Sequence, residues 1–210
     1  LSRGLGDVYK RQLYDFLRKK ENSTIFIHHD NPYLMNIASG LNKIFYGSEE
    51  NLYINGRVTG NSPYLTFEWK AGKDGEKHEV QTQLIGEYNF PNALAAITIG
   101  TFFGVEADKI NEALSNYTPQ NNRSQLKKTA DNTLIIDAYN ANPTSMMAAL
   151  ENFNRMKVKH KMLILGDMRE LGAESAAEHQ KIVDFIKECE FEKVILVGNQ
   201  FTAARHSYQT

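Results

Sequence analysis

Two short polar stretches each follow directly on an apolar, β-rich run, and this arrangement constrains the fold more than any other feature of the chain. The stretch DAYNANPTSM covers residues 137–146, and the stretch LGDMRELG covers residues 165–172. Each gives way to a pattern typical of a helix, as in parallel α/β sheets. We expect both turns at one edge of a sheet. Because ligands of open α/β sheets bind outside the carboxyl ends of the strands, both are candidate functional loops.

Composition and charge exclude several classes of protein. The 210 residues are 41% hydrophobic and 23% charged, which is ordinary for a soluble globular protein. A formal net charge of −1 gives no electrostatic reason to expect nucleic acid or an anionic membrane as a partner. The apolar stretches are strand-sized, so no membrane span is predicted. A single cysteine, Cys189, fits a reducing cytoplasmic compartment and is interpreted as a structural or surface thiol.

The first part of the chain predicts a sheet followed by two helices. Residues 1–12 have no clear hydrophobic period and are interpreted as translated adapter sequence, not as native fold. From residue 13 to 119, a short helix and the strand TIFIH precede a helix with Pro32 at its first position. Alternating β-type segments then predict one or two parallel strands that lead into an antiparallel meander, with a half-buried Trp69. A buried helix begins near Phe90 or Pro91, and an amphipathic helix follows it.

The polar segment TPQNNRSQ, residues 118–125, is typical of a linker, and we place a domain boundary at residues 119–122. Residues 120–210 carry the β-type segments QLKKTA, TLIID, KMLILGD and KVILVGN with helical patterns between and after them. We interpret this part as a parallel sheet of Rossmann-like type, so the fold class of the whole chain is α/β. The last residues, AARHSYQT, end without a cap or a closing strand, and we expect the chain to be a fragment.

Four residues of the first candidate loop have two interpretations each. The carboxylate of Asp137 suits a ribose diol or a cation, or it caps the next helix. The amides of Asn140 and Asn142 suit a peptide-like or nucleobase ligand, although turn formation and capping explain them equally well. The ring of Tyr139 stacks on a base or wedges the loop. Spacing alone leaves these alternatives open.

Other candidate residues lie at helix starts and in the linker. Asn89 and Asn92 are three residues apart, so their amides face the same side of the helix start. The two amides either clamp the edge of a purine or cap the helix and hold the loop before it. Arg123 reaches a phosphate or sugar when the domains close, or it is a surface arginine of the linker. Asp167 begins the loop that leads to Glu170, and the amides of the next helix start favour an anionic group there.

Phosphate and metal signatures are missing from the sequence. Neither GxxxxGK[ST] nor GxGxxG occurs, so the cradle for a triphosphate would have to lie outside this chain. His28, His29 and Asp30 are adjacent on a strand and its end, where neighbouring side chains point to opposite faces. We therefore predict no metal ligands in this chain.

Four segments follow one another along the chain: GEYNFPNALAA, NRSQ, DAYNANPTSM and LGDMRELG. In this order and at these separations, they resemble the Mur ligase family and, within it, the MurF type. The resemblance covers about residues 13–210. It implies an enzyme of three domains, of which residues 13–119 are the later part of the central ATPase domain. Residues 120–210 would be the earlier part of the Rossmann-like carboxyl domain.

The resemblance also implies an activity. The terminal carboxylate of a UDP-N-acetylmuramoyl tripeptide takes the γ-phosphoryl group of ATP, and the amine of D-alanyl-D-alanine then attacks the acyl phosphate. This reaction of peptidoglycan precursor synthesis, which cell shape and division require, implies ATP and Mg²⁺ as cofactors and a monomeric cytoplasmic enzyme. The alternatives are another Mur-type or folylpolyglutamate-type ligase and a non-catalytic nucleotide-binding module. Lysine and diaminopimelate in the tripeptide are not distinguished.

By this resemblance, amide and carboxylate groups of both domains contact one nucleotide across a hinge. It assigns Asn89 and Asn92 to the adenine, Arg123 to ATP at the hinge, and Asp137 to the ribose. It assigns Tyr139, Asn140 and Asn142 to the adjoining nucleotide and substrate loop, and Asp167 and Glu170 to a loop near the incoming dipeptide. The chain departs from the family at Tyr88, where many relatives carry a histidine, and at His28, where relatives commonly carry an asparagine.

We expect the purified 210-residue chain to show no ligase turnover, because the family's glycine-rich loop, its carbamylated lysine and its Mg²⁺ ligands do not occur in it. Phosphate release is measured with ATP, Mg²⁺, the UDP-linked tripeptide and D-alanyl-D-alanine, and an intact member of the family serves as the positive control. Dipeptide-dependent phosphate release above the blank without protein would contradict this expectation.

Overall fold

The computed structural model describes residues 11–61, 63–120 and 122–204. Most of the predicted adapter segment, residues 1–12, and the end of the chain from residue 205 lie outside the described residues. The chain divides into two compact units between Ile136 and Asp137. The first unit is described over residues 11–136 and the second over residues 137–204, and each has its own hydrophobic core.

The first unit has a five-stranded sheet with the strands in sequence order. Its first two pairings are parallel and the next two are antiparallel, which confirms the predicted change from parallel strands to a meander. The elements are α1, described over residues 11–18, β1 (Thr24–His28), α2 (Pro32–Ile37), β2 (Asn42–Gly47), β3 (Ile54–Asn61), β4 (Tyr64–Ala71), β5 (His78–Ile85), α3 (Phe90–Phe102) and α4 (Ala107–Asn116).

Strand β4 forms the centre of this core because its side chains alternate between two environments. Leu65, Phe67 and Trp69 are buried, and the residues between them are half-buried. Trp69 is only 2% exposed, and its Nε1 donates a hydrogen bond to Oδ1 of Asn111 in α4 at 2.9 Å. The expected half-buried position of Trp69 was therefore wrong, because a second layer of structure covers this face of the strand.

Helix α3 begins at Phe90, as the sequence predicts, and packs on the sheet. Leu94 and Ile97 are fully buried against the strands, whereas Ile99 and Phe102 are about 40% exposed. The expectation of a buried helix holds for one face only. A sheet covers one side of a helix, so an evenly apolar sequence does not guarantee burial all round.

Strands β6 (Gln125–Lys128) and β7 (Thr133–Ile136) form an antiparallel hairpin, a two-stranded sheet of the first unit. The expectation that they begin a parallel sheet, with both candidate loops at one sheet edge, was wrong. Only four residues connect the two strands, whereas a parallel connection needs a crossover of a dozen or more. The division of the chain into two compact units thus falls after β7, and the boundary of the ligase domains at residues 119–122 stays a prediction.

The second unit contains a parallel βαβ unit of the expected Rossmann-like kind. Strands β8 (Met162–Gly166) and β9 (Lys193–Val197) pair in parallel, and helix α6 (Ser175–Lys187) connects them. Helix α5 (Pro143–Arg155) precedes β8, and helix α7 (Asn199–Ala204) follows β9. In neither unit does any described helix have the length and apolar character needed to cross a membrane.

Gly56 allows helix α3 to approach strand β3. A Cβ atom at this position would lie 2.5 Å from the carbonyl oxygen of Glu68 and 3.2 Å from Cδ2 of Leu94. We expect Gly56→Ala to lower the free energy of unfolding of the first unit by about 2 kcal/mol, the usual cost of overpacking. Urea unfolding followed by the fluorescence of Trp69, the only tryptophan of the chain, measures this change.

Gly60 in the same strand is the matched control. A Cβ atom there would lie 3.5 Å from Cβ of Thr66, an ordinary van der Waals distance. Gly60→Ala is expected to change the free energy of unfolding by no more than about 0.5 kcal/mol. Equal effects of the two substitutions would show that close packing at Gly56 is not the cause.

Candidate functional site

The two asparagines at the start of α3 lie together. Nδ2 of Asn92 is 3.4 Å from Oδ1 of Asn89, and Nδ2 of Asn89 donates to the carbonyl oxygen of Ile85 at 2.9 Å. Asn89 makes no side-chain cap bond to α3, so of the two structural interpretations the loop tie is observed and the helix cap is not. Asn92 is exposed. Asn89 thus holds the loop before the helix, and Asn92 presents an amide at its surface.

Tyr88 connects this helix start to the predicted linker. Its hydroxyl lies 2.7 Å from Oγ of Ser124, which is buried. The ring lies against Gly86, where the backbone has φ +92° and a Cβ atom would come within 2.3 Å of the ring. Glycine is therefore required at this turn both for its conformation and for the ring that it accommodates. The tyrosine that departs from the family pattern holds the linker.

Arg123 lies in a tight turn of that linker. Its neighbours Asn122 and Ser124 have φ of +57° and +46°, values that are uncommon for residues other than glycine. Arg123 itself is exposed. The turn therefore fixes the backbone on both sides of a cationic side chain.

In the second unit, residues 137–142 form an irregular stretch before α5. Asp137 and Asn140 are exposed, and the side chain of Tyr139 is 62% exposed. Asp137 does not cap α5, because the cap residue is Asn142. The capping alternative for Asp137 was wrong, and its carboxylate lies at the surface in a loop with other polar groups.

Asn142 forms a capping box at the start of α5. Its Oδ1 accepts a hydrogen bond from the backbone N–H of Ser145 at 3.0 Å, and Oγ of Ser145 accepts one from the backbone N–H of Asn142 at 3.3 Å. This arrangement satisfies two backbone donors of the helix start. The structural alternative for Asn142 is therefore present, and a ligand would contact its amide nitrogen or the second lone pair of Oδ1.

Asp167 caps the short helix α7. Its two carboxylate oxygens accept hydrogen bonds from the backbone N–H groups of Gln200 at 3.1 Å and Phe201 at 3.0 Å. Its own N–H donates to the carbonyl oxygen of Val197 in β9. The residue predicted to contact substrate thus holds the start of the 167–171 loop, a name we use for residues 167–171.

Glu170 occupies the exposed tip of the 167–171 loop. Its backbone has φ +64°, in the left-handed region that favours glycine. Met168 and Leu171 on either side are buried in the core of the second unit. The loop is thus fixed at two apolar anchors and presents the side chains of Arg169 and Glu170 to solvent.

Among the described residues, the titratable groups with a shifted pKa lie outside these loops. Burial, followed by the neighbouring carboxylate of Glu188, raises the pKa of the Cys189 thiol. A raised thiol pKa reduces the thiolate fraction and argues against an activated nucleophile. Hydrogen bonds from Lys77 and Arg57 lower the pKa of Glu68, which belongs to a surface ion-pair group of β3, β4 and the segment before β5.

Two families of domains match the chain: the Mur ligase middle domain over residues 8–100 and the Mur ligase glutamate ligase domain over residues 122–209. The chain belongs to the Mur ligase family. The "UDP-N-acetylmuramoyl-tripeptide--D-alanyl-D-alanine ligase" of Bacillus subtilis is 32% identical over 181 residues, which are 85% of this chain and 39% of that protein. The sequence resemblance is thereby confirmed.

Solved structures of Mur ligases share the fold. MurF from Acinetobacter baumannii superposes with a TM-score of 0.79 at 24% identity, over 93% of this chain and 42% of that one. A MurF ligase from Thermotoga maritima in complex with ADP gives a TM-score of 0.69 at 20% identity, over 84% and 44%. The predicted α/β fold class is confirmed, and the Mur ligase chain described here spans about two fifths of the length of these relatives.

Sequence patterns missed the residues that hold the candidate loops. Ser124 and Tyr88 are 36 positions apart, and His179, which contacts the 167–171 loop, is 11 positions from Met168. Local periodicity carries no signal for such pairs. The only sequence sign was the unusual tyrosine in GEYNFPNALAA.

Removing the Tyr88 hydroxyl tests the link to the linker. We expect Tyr88→Phe to lower the free energy of urea unfolding by about 1 kcal/mol, the net value of a typical hydrogen bond. Tyr53→Phe, at an exposed ring, is the control and is expected to have no measurable effect. In a double-mutant cycle with Ser124→Ala, additive effects of the two substitutions would contradict the proposed coupling.

Proposed function

We propose that this chain is part of an ATP-dependent ligase that adds D-alanyl-D-alanine to a UDP-N-acetylmuramoyl tripeptide. The observation that carries the proposal is the similarity to the Bacillus subtilis ligase across 85% of the chain, candidate loops included. The ADP complex of the Thermotoga maritima relative supports a nucleotide ligand. The proposal includes a cytoplasmic, monomeric enzyme, on the basis of the family resemblance.

The proposed reaction forms an amide in two steps. A carboxylate oxygen of the tripeptide attacks the γ-phosphorus of ATP, which gives an acyl phosphate and releases ADP. The amine of the dipeptide, after losing a proton from its ammonium form, attacks the carbonyl carbon, and inorganic phosphate leaves. Phosphoryl transfer of this kind depends mainly on positioning and on neutralising the phosphate charge.

In the proposed assignment, the exposed amide of Asn92 binds the adenine edge, since an asparagine amide offers one donor and one acceptor to adenine. Asn89 uses its own amide to hold the loop and accepts from Asn92. Arg123, exposed in its turn, provides positive charge for a phosphate oxygen or contacts the sugar. This unit of the chain would therefore bind the nucleotide.

In the second unit, the proposed nucleotide and substrate loop contains Asp137, whose carboxylate accepts hydrogen bonds from a ribose diol. Tyr139, Asn140 and the amide nitrogen of Asn142 are the further proposed contacts of this loop. Glu170 is proposed to pair with the ammonium group of the dipeptide, and Asp167 to hold the loop on which Glu170 lies.

The described residues contain no preformed cluster of metal-binding side chains. Within residues 11–204, apart from positions 62 and 121, no group of three or more histidine, cysteine, aspartate or glutamate side chains is arranged to hold a metal ion. The proposal therefore assigns no step of the reaction to a metal bound by these residues. Mg²⁺ would be held by ATP phosphates and by ligands from the rest of the enzyme.

The test uses the full-length protein that contains this chain. With ATP, Mg²⁺ and the UDP-linked tripeptide, we expect product with D-alanyl-D-alanine and none with D-alanine, L-lysine or L-glutamate. Asn92→Ala is expected to raise the KM for ATP about tenfold, the loss of one bidentate amide contact. Asn116→Ala, at an exposed asparagine near the end of α4, is the control and is expected to leave KM unchanged.

The alternatives give different results in the same assay. Preference for a single amino acid over the dipeptide would identify another ligase of the superfamily. Nucleotide binding without ATP-dependent turnover would identify a non-catalytic module. An equal KM for ATP in the wild type and in Asn92→Ala would remove Asn92 from the nucleotide site.

A further inference from the structure

His179 is a fully buried residue of α6 with both ring nitrogens in hydrogen bonds. Nε2 lies 3.0 Å from the backbone N–H of Met168, and Nδ1 lies 2.7 Å from the carbonyl oxygen of Ser175. A backbone N–H only donates and a carbonyl oxygen only accepts. Nε2 therefore accepts from the Met168 N–H, and Nδ1 donates to the Ser175 carbonyl oxygen.

This bond is one of several that fix the start of the 167–171 loop. Met168 is attached to His179, and the carboxylate of Asp167 is attached to two backbone N–H groups of α7. Gly198 makes room for the second attachment, because a Cβ atom there would come within 2.2 Å of the Asp167 carboxyl carbon. The His179 ring also packs edge to face on Phe201 of α7, at 4.6 Å between ring centres.

These contacts bear on the backbone conformation of Glu170, whose φ is +64°. A left-handed backbone at a residue other than glycine costs free energy, so it persists only where the surroundings impose it. Here the imposing contacts are the buried side chains of Met168 and Leu171 and the bond from Met168 N–H to His179. Through the Met168 amide, His179 thus holds the backbone two residues before Glu170.

We propose that His179 is a positioning residue for dipeptide binding: it fixes the 167–171 loop so that Glu170 meets the ammonium group of the incoming dipeptide. The inference rests on the proposed function, because it takes D-alanyl-D-alanine as the ligand of this loop. His179 acts through the Met168 amide and does not touch the substrate.

Two substitutions distinguish the roles of the two ring nitrogens of His179. In His179→Gln, the side-chain oxygen reaches the position of Nε2 and accepts from the Met168 N–H. In His179→Asn, the shorter amide replaces Nδ1 and keeps a donor for the Ser175 carbonyl, but leaves the Met168 N–H without its acceptor. His160→Asn, at a surface histidine of the same unit, is the matched control.

Amide hydrogen exchange of the full-length protein measures how readily the 167–171 loop opens. We expect His179→Asn to speed exchange at Met168–Leu171 at least tenfold relative to the β9 amides of the same protein, because a buried N–H has lost its acceptor. His179→Gln is expected to stay within threefold of wild type, and His160→Asn to match it. Equal acceleration in β9 and in the loop would mean general destabilisation and would overturn the positioning role.

Steady-state kinetics of the same variants test the functional consequence. His179→Asn is expected to raise the KM for D-alanyl-D-alanine about tenfold with the KM for ATP within twofold, and His179→Gln to restore the dipeptide KM. An unchanged dipeptide KM, or an equal rise for every substrate, would overturn the inference. If the wild type does not use the dipeptide at all, the proposed function fails, and the exchange rates still decide whether His179 holds the loop.

Discussion

The close approach of helix α3 to the sheet of the first unit is the constraint on which the candidate nucleotide site depends. Leu94 packs beside Gly56, where the strand has no side chain and the helix can lie close. Asn89 directly precedes the same helix, and Asn92 lies in its first turn. A shift of the helix would move both amides together, so the position of the proposed adenine contact at Asn92 is set by core packing and not by the loop alone. The bond from Tyr88 to Ser124 extends this dependence to the linker.

In the second unit, the same residue types serve as helix caps and as candidate ligands. Asn142 and Asp167 satisfy backbone donors of α5 and α7, whereas Asp137 and Asn140 remain at the surface. The caps give the loops a defined backbone, and the exposed residues beside them then have defined positions. Precise binding sites need such supporting contacts behind the residues that touch the ligand. The capping residues are thus best understood as support for their neighbours.

Much of the fold follows from local patterns in the sequence. The alternation in β4 and the proline at the first position of α2, Pro32, are signals contained within a few residues, and the structure confirms both. Strands β6 and β7 were assigned to a parallel sheet, whereas they form an antiparallel hairpin. The assignment rested on the sequence pattern of each strand and ignored the connection between them. A connection of four residues is too short for a parallel crossover. The amide pair was predictable from its spacing. The contact of His179 was not, because it depends on how α6 packs beside the loop after β8.

Backbone conformation alone does not distinguish the loops that buried neighbours hold in place from ordinary turns. Positive φ occurs at Asn22 and His160 as well as at Asn122, Ser124 and Glu170, so the conformation by itself does not identify a site. The difference lies in the neighbours: Ser124 is buried and bonded to Tyr88, and Glu170 lies between two buried anchors. Glycine at position 170 would relieve a cost of about 1–2 kcal/mol but would remove the carboxylate. Glu170 thus presents a carboxylate at the exposed tip of a loop that the buried side chains of Met168 and Leu171 hold in place.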